Sequence, residues 1–255
     1  SGVIVGPCAG MKHMTTTLIP KWLEPFSQPV QDAIMLLMAE PGRKLACFDA
    51  DGTLWNEDIG EAFFRWLIAG NLLPHRDCTR DIWQEYEDRV AENRAQGYAW
   101  AVQSMVGIPE SDIVRWSIQM AAAWPNYRPA MADLARGLAE SGFDVWIVSA
   151  TNQWTVRAAA PKMNFDPENV IAMASAPKGG IMTETMVEPL ICNAGKVTAI
   201  QQKFGRLPDV SFGDSMGDFE MLCASRVPVV IGRNDKPNRA ILAEAVTRGW
   251  PVHMF

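Results

Sequence analysis

The chain has 255 residues, 48% of them hydrophobic, and a formal net charge of −6. That length holds one large domain, or a core with a smaller insertion. The negative balance argues against nucleic acid as a partner, and no apolar run is long enough to span a bilayer as a helix.

Residues 1–17 read as a flexible lead-in, with Met14 as a candidate native start. They show no charged-then-apolar signal segment, although a chain starting at Ser1 leaves room for an export leader already removed. The five cysteines (Cys8, Cys47, Cys78, Cys192, Cys223) are odd in number and widely spaced, without a Cys/His cluster for zinc. A reducing, cytoplasmic compartment is the expectation. Within residues 18–39, the amphipathic stretch Val30 to Met38 reads as a helix that either packs on the core or offers a partner surface.

The apolar run 44–48 predicts a buried strand. It leads into Asp49-Ala50-Asp51-Gly52-Thr53-Leu54, which sets two carboxylates at one point above a sheet edge. Buried charges that close need a cation or a shared proton. Residues 55–125 then break the pattern. They predict three or four amphipathic helices: one beginning near Asp58, one from Asp77 to Arg94, and one opening at Pro109-Glu110-Ser111-Asp112, where proline and acids suit a helix start. Such an insertion forms a helical cap over a core made of residues 18–54 and 126–255.

Beyond the cap the reading is a helix over 129–141, a strand over 144–149 that ends in Ser149, and a strand over 169–173. Residues 176–194, rich in Gly, Pro and Thr, suit a small hairpin. A helix over 195–204 opens with Lys196. The strand 209–213 runs into Gly213-Asp214-Ser215-Met216-Gly217-Asp218, and a last strand (227–231) and helix (236–247) follow. Alternating strands and helices imply an α/β fold: a Rossmann-like parallel sheet with helices on both faces and ligands beyond the carboxyl ends of the strands.

Four pieces suit one reaction. Of Asp49 and Asp51, one can attack phosphorus to form an aspartyl-phosphate, while the other protonates the leaving oxygen and then deprotonates water. Ser149 can hold a phosphoryl oxygen, although a serine there is more often a turn or cap residue. Lys196 opposes the helix dipole at an N-terminus unless an anion faces it; Lys178, the competing lysine, sits in a Pro-Lys-Gly-Gly turn. Asp49 and Asp214, with a backbone carbonyl from Ala50-Asp51, suit the oxygen ligation of Mg²⁺, and Asp218 suits an outer acid orienting a metal-bound water or Lys196.

In this order, DxDGT, the serine after a strand, the lysine and GDSxxD resemble the haloacid dehalogenase-like superfamily over about residues 43–232. The helical insertion resembles the C1 cap of its phosphoserine phosphatase-like branch, subfamily IB. The resemblance implies Asp49 as nucleophile, Asp51 as acid/base, Ser149 as phosphate binder, Lys196 as charge stabiliser, and Asp214 and Asp218 as magnesium-site acids. True dehalogenases of the superfamily lack the second aspartate, so Asp51 speaks against C–Cl chemistry. Phosphoserine phosphatases carry a glutamate for the substrate amine shortly after the first motif, near where Glu57 and Asp58 fall here.

Substrate choice falls to the cap. It holds eleven Asp/Glu, six Arg, no Lys and six of the ten tryptophans. An amine or quaternary ammonium could meet Trp55 through cation–π contact together with an acid, though tryptophans at helical spacing are more often core. Arg94 and Arg89 can bind a substrate carboxylate or pair with acids such as Glu85, and Thr151 is a further expected substrate contact. The expectation is a Mg²⁺-dependent hydrolase of a small phosphomonoester, phosphoserine-like or aminoalcohol-phosphate-like, working as a monomer or homodimer without nucleic acid or membrane. A phosphotransferase or mutase, or a non-catalytic phosphometabolite-binding module, is the alternative.

Overall fold

The run Lys44–Phe48 is buried at all five positions, as a parallel strand covered on both faces must be. It is strand β1 of a computed structural model that describes residues 18–77 and 79–255. The expected lead-in, Cys8 and Cys78 lie outside the described residues. Strands β2 (Phe143–Asn152), β3 (Val170–Met173), β4 (Val210–Gly213), β5 (Val227–Gly232) and β6 (Val252–Met254) complete one sheet in the order β3-β2-β1-β4-β5-β6. Every neighbouring pair is parallel, so the fold is the expected α/β, Rossmann-like one. Phe48 stacks on Phe212 of β4 at 4.3 Å between ring centroids, which fixes the sheet centre beneath the first acidic motif.

Helices α1 (Gln28–Ala39), α6 (Pro129–Glu140), α7 (Gln153–Ala159), α8 (Ala194–Phe204), α9 (Phe219–Ala224) and α10 (Arg239–Arg248) accompany the sheet. The choice left open for Val30 to Met38 is resolved: Val30, Ile34 and Leu37 of α1 belong to the main core. Strand β6 was not expected. It is three residues long and follows Pro251, too short to carry a period of its own; β5 supplies its pairing.

Between β1 and α6 lie α2 (Ile59–Ala69), α3 (Ile82–Glu92), α4 (Arg94–Gln103) and α5 (Glu110–Ala123). The helix expected from Asp77 to Arg94 starts later and ends earlier. Asp81 caps α3 by accepting from Gln84 N–H, and extended Asn93 ends α3 while capping α4 through Gln96 N–H. Gly97 lets the two helices touch, because a Cβ there would lie 2.6 Å from Val90. The segment leaves and returns at one place: Trp55 and Tyr127 form an antiparallel bridge, Asn56 N–H donates to Asn126 C=O, and Arg128 N–H donates to Leu54 C=O.

A second apolar cluster, with Phe63, Phe64, Leu67, Tyr86 and Trp100, seats these helices on Trp154, Met173 and Cys192 beside the sheet. The expected hairpin in 176–194 is reduced to isolated antiparallel bridges, Ser175 to Met186 and Lys178 to Ile181. Among the described residues, no helix is long and apolar enough to cross a membrane.

Candidate active site

Asp49 and Asp51 follow β1, where the chain turns sharply at Gly52. Gly52 has φ +83°, and a Cβ there would overlap the Asp214 carboxylate. Glycine thus serves twice: it adopts the left-handed turn, and it lets the loop after β4 close on the loop after β1. Gly213 in β4 leaves room of the same kind for Asp218, whose Cβ would lie 2.5 Å from an added methyl group.

Lys196, at the first turn of α8, is 2% exposed. Its Nζ donates to Asp49 Oδ1 at 2.7 Å and to Asp218 Oδ1 at 2.6 Å. The cost of a cation at a helix N-terminus is thereby reversed by two anions. Lys196 thus pairs with two of three acids crowded together, since oxygens of Asp49, Asp214 and Asp218 lie within 4.8 Å of one another. Burial first and then the neighbouring Asp218 push the Asp49 carboxyl up to about 7, with Lys196 opposing. Burial, Asp49 and Asp218 hold Asp214 well above the usual carboxylate range. Lys196 rises despite its burial because both aspartates favour its charge.

Donors divide the acids by role. Asp218 is saturated: its Oδ2 accepts from the N–H groups of Asp214 and Ser215 and from Ser215 Oγ. Among the described residues, the Asp214 carboxylate, Asp49 Oδ2 and the Asp51 carbonyl accept no hydrogen bond, while the Ala50 carbonyl accepts from Thr53, Leu54 and Trp55. Hard carboxylate oxygens close together, some of them without donors, suit a magnesium ion, and their mutual repulsion is what a cation would relieve. Asp49, Asp214 and Asp218 are the carboxylates brought together where such an ion could be held, and Asp218 also holds Lys196 and the loop.

Asp51 has a different surrounding. Its Oδ1 accepts from Trp55 Nε1 at 2.7 Å and Ile59 N–H at 2.8 Å, and its Oδ2 accepts from Thr151 Oγ1 at 2.7 Å. Burial raises its pKa, and these donors partly offset the rise. Ser149 is buried and accepts from Thr151 N–H at 3.1 Å, leaving its own hydroxyl hydrogen to turn. Ser149 is not the strand end as expected: β2 continues to Asn152 through a register shift against β3.

These groups line a cavity of about 500 Å³ together with residues of α2, α3 and α4: Glu61, Phe63, Phe64, Leu67, Tyr86, Arg94 and Tyr98. Arg94 reaches it as expected. Among the described residues its guanidinium makes no hydrogen bond or ion pair, and it points at the loop after β4, 3.6 Å from a Cβ placed on Gly217. Asp58 lines the cavity too, but it also caps α2 through Glu61 N–H.

Three other expected substrate contacts have different surroundings. Trp55 is fully buried behind Asp51, edge-on to Tyr127, and does not line the cavity. Glu57, at φ +61°, is drawn to the rim by Arg233 at 2.6 Å. Thr151 lines the cavity, but its hydroxyl hydrogen is spent on Asp51.

Arg89 pairs with Glu85, the bland reading. The cation–π contacts of the cap tryptophans use the cap's own arginines, as with Arg65 over Trp83 and Arg89 over Trp100.

Glu61 was missed. Asp58-x-x-Glu61 has capping-box spacing, yet Glu61 turns to accept from Tyr86 Oη at 3.1 Å, and burial raises its pKa. Arg128 was also missed. It is buried just ahead of α6 and pins Asn56 Oδ1 and Thr53 C=O at the base of the cap. The signal was available: a cation before a helix N-terminus is the same anomaly that singled out Lys196.

A family model for haloacid dehalogenase-like hydrolases matches residues 46–222. The chain belongs to this family of hydrolases, as the order of its motifs led one to expect. It is 21% identical over 227 residues to a histidinol-phosphatase from Neisseria meningitidis serogroup C (strain 8013), covering 84% of this chain and 99% of the relative. In fold it is similar to a protein of unknown function from Bordetella pertussis Tohama I (TM-score 0.72, 20% identity, 84% of this chain and 99% of the other). It is likewise similar to a phosphoserine phosphatase solved as a phospho-aspartyl intermediate analogue (TM-score 0.52, 20% identity, 75% and 87%).

Proposed function

We propose that the chain is a magnesium-dependent phosphomonoester hydrolase that works through an aspartyl-phosphate, with residues 55–125 as a cap that selects the leaving group. The observation that carries this reading is Lys196 held between Asp49 and Asp218, beside Asp214, in the cavity between the strand ends and the inserted helices. Asp49 is the nucleophile and Asp51 the acid/base. As an Asp49 oxygen bonds to phosphorus, the P–O bond to the alcohol breaks and the Asp51 proton passes to the departing oxygen. Asp51, now ionised, takes a proton from the water that cleaves the acyl-phosphate, which restores both groups. Ser149 and Lys196 hold phosphoryl oxygens. A magnesium ion held by Asp49, Asp214 and the Asp51 carbonyl would offset negative charge on the phosphoryl group.

The substrate we infer is small: a phosphoserine-like or aminoalcohol-phosphate-like ester suits a cavity of this size better than a nucleic acid or protein does. Cation recognition stays with Asp58 and gains Glu61 in place of Glu57 and Trp55, because among the described residues these two acids of the inserted segment line the cavity without a cationic partner in hydrogen-bond contact. Phosphate release from phosphoserine, phosphocholine, phosphoethanolamine, histidinol phosphate, sugar phosphates and p-nitrophenyl phosphate, with and without Mg²⁺, tests the reading beside Asp49→Asn. Metal-dependent release lost in a folded Asp49→Asn variant is expected. Near-normal rates in that variant would remove Asp49 as nucleophile.

A further inference from the structure

Asp51 is gripped from three directions. Trp55 Nε1 comes from the base of the cap, Ile59 N–H from the first turn of α2, and Thr151 Oγ1 from β2. A carboxylate offers about four lone-pair directions, so three are taken and one remains for the proton in transit.

Neither side-chain donor has room to wander. The Trp55 indole is fully buried and meets Tyr127 edge-on at 5.8 Å, while Tyr127 Oη is itself tied to Ala121 C=O. The Trp55 backbone is fixed by Trp55 N–H to Ala50 C=O and Gly52 N–H to Trp55 C=O. Thr151 is pressed against Gly60, where a Cβ would lie 2.6 Å from its methyl group.

Resting on the phosphatase reading above, we infer that Trp55 and Thr151 are positioning residues that aim Asp51 at the leaving oxygen. Trp55 does not reach the cavity and the Thr151 hydroxyl hydrogen is spent on Asp51, so both act by deciding where the proton of Asp51 sits. The consequence depends on the leaving group. An oxygen that departs poorly as an anion needs that proton as the P–O bond breaks, whereas p-nitrophenolate leaves well without it. A misaimed Asp51 therefore penalises the first ester and spares the second. The water-activating step uses Asp51 whichever ester was loaded, so kcat falls on both while kcat/KM diverges.

The test compares phenyl phosphate with p-nitrophenyl phosphate, two esters of nearly one shape, for the wild type, Trp55→Phe, Thr151→Val and Thr151→Ser in Mg²⁺. The expected result is a fall in kcat/KM on phenyl phosphate of about tenfold or more for Trp55→Phe and Thr151→Val, within the range of general acid catalysis. On p-nitrophenyl phosphate the fall should stay under about threefold. Thr151→Ser, which keeps the donor, should recover most of the phenyl phosphate rate.

Thr151→Val and Thr151→Ser carry the test if Trp55→Phe does not fold. Equal losses on both esters, or no recovery in Thr151→Ser, would overturn the assignment while leaving the phosphatase reading intact. A wild type that cleaves neither ester would overturn the phosphatase reading and this assignment with it.

Discussion

Replacing Lys196 by methionine removes the cation that, among the described residues, pairs with the buried acids Asp49 and Asp218, and keeps its apolar stem. In the native chain the ammonium lies 2.7 Å from Asp49 Oδ1 and 2.6 Å from Asp218 Oδ1. At an effective dielectric of 20, each such contact is worth about 6 kcal/mol of attraction before desolvation is charged against it. Measured losses on breaking a buried pair, about 3–5 kcal/mol, are the better guide. For a chain of this size that is a fall in Tm of roughly 6–20 °C.

The loss must depend on pH. Asp49 sits at about 7 when folded against an ordinary 3.8. A raised carboxyl stabilises the fold fully below its unfolded pKa, and that contribution fades as pH rises toward 7. Lys196 is among the groups holding Asp49 down, so Lys196→Met moves it higher still and the variant suffers most in alkali. Metal-free calorimetry or denaturant unfolding at pH 5 and pH 8 reads this directly. The gap between wild type and variant should widen at pH 8. A gap that does not change with pH, or a loss below about 1 kcal/mol, would refute the account of Lys196 as a counter-ion shared by these acids.

Magnesium should stabilise the wild type by about 2.7 kcal/mol at a concentration one hundred times Kd. Asp214→Asn should abolish most of that shift in a melting assay. Glu61→Gln should raise KM for amine-bearing phosphomonoesters about tenfold, roughly 1.4 kcal/mol, with little effect on p-nitrophenyl phosphate; equal effects would remove Glu61 from cation recognition. Gly52→Ala should cost about 1 kcal/mol or more through its left-handed φ alone. Because its new methyl group also displaces Asp214, the magnesium-induced shift should shrink in the same variant.

The sheet core and the acids of the site were legible because each announces itself locally. Apolar runs end in carboxylates, and Lys196 opens a helix where a cation costs energy. Contacts across the cap were not legible, since they depend on which helix faces show which side chains. Glu57 and Glu61 are both acids close behind the motif, yet a left-handed residue turns one to Arg233 and the first turn of α2 turns the other to Tyr86. Trp55 looked like a ligand-facing aromatic, but its fully buried indole serves Asp51. A second helix boundary was hidden at Asn93, where one residue both ends α3 and caps α4.

The doorway at Trp55 and Tyr127 bears on how such a protein can be rebuilt. Because the bridge holds both ends side by side, doubling the length of what lies between adds only about 0.6 kcal/mol of closure entropy. A different helical cassette can therefore be spliced there without disturbing the strand order. Two conditions come with the graft. The new piece must bring an apolar underside for Trp154, Met173 and Cys192. Its seams must also fall beyond Asn56 and before Asn126, so that the indole holding Asp51 stays with the core.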